Sequence, residues 1–265
     1  MSSEPIQIDR DGTGIATLTL TRSEKHNAMS GEMISALTDA ARDLGEDATI
    51  RAVILTGEGE SFCAGGDLEW MRAQFSATRD ERVAEATRLA EMLLALNTLP
   101  KPLIGRVNGQ AYGGGVGLIS VCDIAFAAEG ARFGLTETRL GLIPATISPY
   151  VAARLGADQI RQVFLSARLF DAEEAVRLGL VAGAYSDDDL DARVALECKT
   201  ILNAAPGAVA AAKALAQSLG PRIDAAVIAN TVARLADTWE TAEAQDGIAA
   251  FFDRRPPPWS PKRDT

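Results

Sequence analysis

The sequence feature that most constrains the fold is the glycine triplet at residues 113–115, which follows an apolar, strand-like segment at residues 103–107. Three consecutive glycines are costly to order, since glycine loses more backbone entropy on folding than any other residue. Such a cost is tolerated where a backbone N–H group must approach a ligand without an intervening Cβ atom. If Gly115 opens a helix, its free N–H groups and the positive end of the helix dipole point at the space above Gly113 and Gly114. The pattern favours a site for partial negative charge, with an ordinary tight turn as the alternative.

A second glycine-containing turn, residues 57–68, also follows a strand-like segment, residues 51–57. Backbone N–H groups from two such turns can converge on one oxygen atom and form an oxyanion hole. Glu137 follows in a mostly apolar segment, residues 133–144. A carbonyl held by an oxyanion hole acidifies its α-carbon, so one carboxylate can move protons at Cα or Cγ, or activate water for addition at Cβ. An apolar pocket would raise the pKa of Glu137, whereas the alternative is a solvated surface carboxylate.

Strand-like and helix-like segments alternate until about residue 182, which favours an α/β fold. Beyond that point the patterns are helical and rich in alanine. We therefore predict an α/β core that carries the active site over residues 1–195, and a C-terminal helical subdomain over residues 196–265. Residues 70–79 show no clear period, and we expect an irregular, mobile segment there that lines part of the ligand pocket. Asp67 is expected to cap the short helix that follows it.

Composition and charge exclude several functional classes. The formal net charge of −10 disfavours non-specific binding to nucleic acids or anionic membranes. No apolar run reaches the roughly 20 residues that span a bilayer, and residues 1–5 lack the pattern of a signal peptide. Three widely spaced cysteines and a single histidine favour neither a disulfide framework nor a metal site. We therefore expect a cytoplasmic protein without a bound metal and without a nucleic-acid or membrane partner.

Five motifs follow one another along nearly the whole chain, at residues 22–28, 62–68, 109–125, 133–144 and 172–181. Together they resemble the enoyl-CoA hydratase/isomerase (crotonase) superfamily. The resemblance implies a spiral of ββα turns and a C-terminal helical region that packs into homotrimers, often paired into hexamers. It also implies an acyl-CoA thioester as substrate. Coenzyme A then enters as part of the substrate, so no separate cofactor is expected.

The same resemblance assigns roles to individual residues. Gly66 and Gly114 match the two oxyanion-hole donors, and Glu137 matches the second of the family's two catalytic glutamates. Lys25 lies in the turn that the family places near the CoA phosphates, although an exposed lysine is ordinary at such a position. Residues that flank the two glycine turns are also implied in binding the CoA substrate, namely Ala64, Gly65, Leu68 and Gly113.

One position departs from the family pattern. The first catalytic glutamate of standard hydratases lies three residues after Gly114, and here that residue is Gly117. A single glutamate resembles several isomerases, but residues 117–123 and 136–150 are similar to a subgroup of methylglutaconyl-CoA or carboxygeranoyl-CoA hydratases. Glycine would also make room for a branched or carboxylated acyl chain, and Arg139 could meet a substrate carboxylate or form a structural salt bridge. We expect an enoyl-CoA hydratase, with a double-bond isomerase and an inactive acyl-CoA-binding protein as the alternatives.

Overall fold

The computed structural model describes residues 4–261. The strands are β1 (Ile6–Arg10), β2 (Ile15–Leu20), β3 (Ala52–Gly57), β4 (Ser61–Cys63), β5 (Leu103–Val107), β6 (Gln110–Tyr112), β7 (Ile124–Ala128), β8 (Arg132–Gly134), β9 (Leu169–Asp171) and β10 (Gly183–Tyr185). The helices are α1 (Gly31–Glu46), α2 (Leu68–Ser76), α3 (Arg79–Asn97), α4 (Gly114–Val121), α5 (Ser148–Leu155), α6 (Ala157–Phe164), α7 (Ala172–Leu178), α8 (Asp187–Leu202), α9 (Pro206–Leu219), α10 (Ala225–Trp239) and α11 (Ala242–Phe252). Short 3-10 turns cover Ser23–Lys25 and Glu137–Leu140. Within the described range no helix is long and apolar enough to cross a bilayer.

The strands form two sheets, and the chain moves repeatedly from one to the other. The larger sheet has the order β1-β2-β3-β5-β7-β10, with β1 antiparallel to β2 and the other pairs parallel. The smaller sheet has the order β4-β6-β8-β9, with only β8 and β9 antiparallel. The pairs β3–β4, β5–β6 and β7–β8 each place one strand in each sheet before the chain enters a helical segment. This path is a spiral of ββα turns, which confirms the predicted α/β fold.

Helix α1 shows how the apolar pattern builds the core. Met33, Leu37 and Leu44 recur at helical spacing and are fully buried. Full burial of a side chain of this size contributes about 1.5–3 kcal/mol relative to exposure. The helix is capped by Ser30, whose hydroxyl accepts a hydrogen bond from the Met33 N–H group at 3.3 Å. Its buried face packs against α3 and the larger sheet.

The segment at residues 70–79 is not the irregular connection that its sequence indicated, because most of it is helix α2. Asp67 caps this helix as expected, since its carboxylate accepts hydrogen bonds from the Glu69 and Trp70 N–H groups. The helix lacks an apolar period because the only residue that it buries is Gln74. Its start is therefore fixed by a cap, not by an amphipathic pattern.

The C-terminal helices pack on the spiral at three places. Helix α8 places Leu190, Val194 and Cys198 against one face of the larger sheet. Helix α10 packs on α3, and α11 packs on the 3-10 turn that begins at Glu137. The predicted division between residues 195 and 196 falls inside α8, so the helical region begins at Asp187. The separation into two units stays a prediction.

Candidate active site

Glu137 lies at the start of the 3-10 turn that follows strand β8. Its Oε2 atom is buried and has no hydrogen-bond partner within residues 4–261. Burial disfavours the charged carboxylate and raises the pKa of Glu137 to about 7. A carboxyl group with this pKa can exchange a proton near neutral pH. The structure thus places Glu137 in an apolar environment, as the sequence indicated.

Helix α11 packs directly against the turn that carries Glu137. A Cβ atom at Gly141, where φ is +71°, would lie 2.5 Å from the carbonyl oxygen of Glu243. A Cβ atom at Gly247 of α11 would lie 2.5 Å from the carbonyl oxygen of Leu140. Two glycines therefore let the backbones of the turn and the helix touch directly.

Gly66 presents a free backbone N–H group because of its pairing with Met29. Met29 N–H donates to Gly65 O at 2.7 Å, and Asp67 N–H donates to Met29 O at 3.0 Å. In a parallel pairing of this kind the N–H and C=O groups of the intervening residue, Gly66, point to the opposite side. Among the described residues the Gly66 N–H group has no acceptor.

Gly114 is the first residue of helix α4, so its N–H group has no acceptor within the helix. A Cβ atom at Gly114 would lie 2.0 Å from Met29 Cε, and one at Gly113, where φ is +48°, would lie 2.9 Å from Glu137 Oε1. A Cβ atom at Gly65 would lie 3.8 Å from the Gly114 nitrogen. The two glycine turns therefore meet at van der Waals distance, next to the carboxyl group of Glu137.

These groups open into one cavity of about 570 Å³. Its wall includes Gly66, Gly114 and Glu137, together with residues that the sequence implicated in substrate binding, namely Ala64, Gly65, Leu68 and Gly113. The remainder is mostly apolar and comes from distant parts of the chain, including Met71, Leu142, Pro144, Ile147, Leu235, Trp239 and Phe251. The cavity can thus hold an apolar chain with a carbonyl oxygen at the two glycine N–H groups.

Comparisons with known proteins extend over almost the whole chain. The family model described as enoyl-CoA hydratase/isomerase matches residues 10–262. The chain belongs to this family. A solved enoyl-CoA hydratase from Shewanella pealeana ATCC 700345 is 38% identical, with a TM-score of 0.79 and 96% of each chain covered. An enoyl-CoA hydratase from Mycobacterium avium is 30% identical, with a TM-score of 0.85 and coverage of 98% of this chain and 100% of that one.

The enoyl-CoA hydratase/isomerase family thus accounts for the fold, but Gly117 needs a local explanation. A Cβ atom at Gly117 would lie 2.5 Å from Ile147 Cγ2 and 3.0 Å from Ile147 Cβ. Ile147 is buried and lines the cavity, whereas Gly117 does not. The expectation that glycine makes room for a branched acyl chain is therefore wrong, since the side chain of Ile147 fills that space.

Lys25 lies in an exposed turn outside the cavity wall. Its Nζ atom lies 3.8 Å from Glu69 Oε1, and both side chains are exposed, so this pair adds little stability. The turn is nevertheless joined to the cavity, because Ala64 N–H donates to His26 O at 2.9 Å. Lys25 therefore lies in a turn that is hydrogen-bonded to the cavity wall at Ala64, but it is not part of that wall.

An ion pair that the sequence did not reveal fixes the position of the early turn relative to helix α2. Arg22 donates from Nη2 to Asp67 Oδ2 at 2.8 Å and from Nη1 to Ala28 O at 2.5 Å. Burial by itself raises the pKa of Asp67, but hydrogen bonds from Arg22 and from two backbone N–H groups outweigh it and lower that pKa. Arg22 thereby ties the early turn to the start of α2.

The sequence analysis also did not place α10 and α11 at the cavity, although residues of both helices line it. Trp239 of α10 is buried, and the guanidinium of Arg82 lies over its ring at 5.5 Å. Arg82 also donates to Gln74 O at 2.8 Å and pairs with Glu240. Arg82 lies on the apolar face of α3, and an arginine at such a position was the one available signal for this contact.

Within residues 4–261 no three acidic, cysteine or histidine side chains cluster as metal ligands would.

Proposed function

We propose that this family member is an enoyl-CoA hydratase, which adds water across the double bond of a 2-enoyl-CoA. The observation that carries the proposal is the convergence of two free backbone N–H groups, from Gly66 and Gly114, beside the buried carboxyl group of Glu137. This arrangement suits a reaction in which negative charge develops on a thioester oxygen while a proton moves nearby.

The reaction follows from the positions of these groups. The thioester oxygen accepts hydrogen bonds from Gly66 and Gly114, which draws electrons from Cβ. The Glu137 carboxylate takes a proton from water as the water oxygen bonds to Cβ, and the double-bond electrons move to the thioester oxygen. Protonated Glu137 then returns its proton to Cα as the carbonyl reforms. The product is a 3-hydroxyacyl-CoA, and Glu137 is again a carboxylate.

The substrate assignment has two parts. We assign the CoA moiety to the glycine turns, with Ala64, Gly65, Leu68 and Gly113 beside it and Lys25 near its phosphates. The acyl chain lies in the apolar part of the cavity. Arg139 supports a carboxylated acyl chain, because its cationic side chain lines the otherwise mostly apolar cavity. Such a substrate agrees with the resemblance to methylglutaconyl-CoA and carboxygeranoyl-CoA hydratases.

A double-bond isomerase is the second candidate, and Gly117 is the observation that favours it. Without a first glutamate, Glu137 alone can carry a proton between Cα and Cγ of the acyl chain. Both reactions use the same oxyanion donors. They differ in whether water becomes part of the product.

Product mass separates the candidates. Purified protein is incubated with crotonyl-CoA, 3-methylglutaconyl-CoA and a 3-enoyl-CoA, and Glu137→Gln runs beside it. A water adduct that disappears in the variant supports the hydratase. Conversion of the 3-enoyl-CoA at unchanged mass to a 2-enoyl-CoA, recognised by the ultraviolet absorbance of its conjugated thioester, identifies the isomerase. Glu129→Gln, an exposed carboxylate on the β7–β8 turn, is the matched control and should keep full activity. Acyl-CoA binding without turnover of any substrate would leave only the inactive alternative.

We also propose that the chain assembles as a homotrimer or a dimer of trimers. Helix α9 supports this, since none of its residues is buried although its sequence is largely apolar. Leu215 and Leu219 of this helix are 60% and 80% exposed. Light scattering coupled to gel filtration measures the assembly, and a monomeric mass would contradict it.

A further inference from the structure

The cavity contains a polar group that the proposed reaction does not yet use, the hydroxyl of Thr146. Thr146 lines the cavity and is only 5% exposed. The neighbouring hydroxyl of Ser148 donates to Ala145 O at 2.6 Å. The Thr146 oxygen makes no hydrogen bond within residues 4–261 and is not among the fully buried atoms that lack a partner there, so it is exposed to the cavity. Buried polar groups are nearly always satisfied by protein, by ordered water or by a ligand. The hydroxyl of Thr146 is therefore available to a molecule inside the cavity.

Thr146 directly precedes Ile147, the residue that contacts Gly117, where the chain departs from the family pattern. The next residue, Ile147, packs against Gly117 and occupies the space where a longer side chain at position 117 would begin. The loop around Thr146 is fixed, because Ala145 N–H donates to Ile143 O at 2.8 Å and Ser148 N–H donates to Ala145 O at 3.1 Å. The same loop that closes off position 117 thus holds a free hydroxyl at the cavity wall.

We propose that Thr146 is the water-positioning residue of this site, and that its hydroxyl supplies the hydrogen bond that the glutamate absent from position 117 would have supplied. The inference rests on the proposed hydratase function. A threonine hydroxyl accepts one hydrogen bond from water and does not take its proton. Thr146 therefore holds one hydrogen of the water while Glu137 removes the other, and the water oxygen bonds to Cβ. Thr146 ends the cycle unchanged.

Two other hydroxyl-bearing residues line the cavity within the described range, and both fit the role less well. The Tyr112 hydroxyl donates to Gln110 Oε1 at 3.1 Å, so its orientation is already fixed. Thr136 precedes Glu137, is less buried than Thr146 and is remote in sequence from the Ile147–Gly117 contact. Thr136→Val is therefore the comparison that can reassign the role.

The test separates water addition from proton transfer. Thr146→Val removes the hydroxyl at nearly constant shape, Thr146→Ser keeps it, and Thr146→Ala is a second hydroxyl-free variant in case valine disturbs folding. Hydration of crotonyl-CoA is measured as kcat and KM. Exchange of the α-hydrogen of butyryl-CoA in D₂O is measured beside it, because it needs Glu137 and the oxyanion donors but no water at Cβ. Thr56→Val controls for loss of a buried hydroxyl away from the cavity, where Thr56 donates to Arg106 O.

We expect Thr146→Val and Thr146→Ala to lower kcat for hydration by about 10- to 100-fold, the loss typical of one hydrogen bond in a buried site. The α-hydrogen exchange should stay close to that of the unmodified protein, and Thr146→Ser should recover most of the hydration. Hydration and exchange that fall together would make Thr146 merely structural, and a selective loss in Thr136→Val would move the role to that residue. Unchanged hydration in Thr146→Val removes this inference alone. An unmodified protein that forms no water adduct removes the proposed function, and this inference with it.

Discussion

The two sides of the cavity differ in the kind of atoms that form them, backbone on one side and side chains on the other. The glycine side, residues 64–66 and 113–114, is made of two turns that each follow a strand, and its donors are backbone atoms. The helical side, Leu235 and Trp239 of α10 with Phe251 of α11, is made of side chains from the last part of the chain. The proposed chemistry thus depends on backbone geometry, and the shape of the proposed acyl pocket depends on side-chain packing. Substitutions on the two sides should therefore have different consequences.

The largest effect is expected on the glycine side from Gly114→Pro. Proline is accommodated at the first position of a helix but has no N–H group, so one oxyanion donor is lost. Gly114→Ala is the matched variant, because it introduces the same Cβ atom beside Met29 Cε and keeps the donor. We expect kcat for Gly114→Pro to be about 100- to 1,000-fold below that of Gly114→Ala. Equal rates for the two variants would mean that this N–H group does not hold the oxyanion.

The second-largest effect concerns the buried carboxyl group of Glu137, which lies next to the glycine side. Its pKa is raised from the ordinary value of 4.5 to about 7, so the native state binds more protons than the unfolded state between these values. The contribution of Glu137 to the free energy of unfolding is therefore fully present below pH 4.5 and falls as the pH rises through 7, by up to about 3 kcal/mol. Urea unfolding at a series of pH values measures this slope, which should be reduced in Glu137→Gln. The rate should rise with pH over the same window, because the reaction needs the carboxylate.

On the helical side, Trp239→Ala should change selectivity more than chemistry. Removal of the indole lengthens the cavity, so we expect kcat/KM for longer acyl chains to rise about 10-fold relative to crotonyl-CoA. The same change should lower the free energy of unfolding by about 3–5 kcal/mol, because a large buried side chain is lost. Trp259→Ala, which removes an exposed indole outside the cavity wall, is the control. The same fractional loss of kcat/KM for acyl chains of every length would show that Trp239 affects the chemistry and not the selectivity.

The smallest effect is expected from Lys25, in the exposed turn outside the cavity wall. Lys25→Ala removes an exposed charge near the proposed CoA phosphates, so KM should rise by about two- to fivefold while kcat stays constant. The effect should shrink at high salt, because salt screens exposed charges. Lys199→Ala, an exposed lysine on α8, should leave KM unchanged. A ratio of the Lys25→Ala KM to the unmodified KM that does not change with salt would exclude a charge contact with the substrate.

The same contrast explains what the sequence could predict. The Asp67 cap depends on contacts within three residues, and the two glycine turns are marked by their residue types, so the sequence was enough to locate them. The four strands of the smaller sheet are each three residues long, which is too short to show an alternating pattern. Ile147 lies 30 residues from Gly117, and nothing local indicates that the two touch. The prediction that Gly117 makes room for the acyl chain was wrong because this contact is long-range. The contribution of Trp239 to the cavity wall was missed for the same reason.

The direct contact between the Glu137 turn and α11 also bears on how the molecule is made. A ribosome releases the chain from its N-terminus, and early elements fold before later ones exist. Both glycine turns and Glu137 itself emerge before α11, whose Glu243 and Gly247 touch the backbone of the Glu137 turn. A nascent chain therefore carries its chemical groups while one wall and the rear support of the cavity are still missing. Completion of the cavity therefore waits for the synthesis of α11, and a chain that has not reached this helix has no enclosed site.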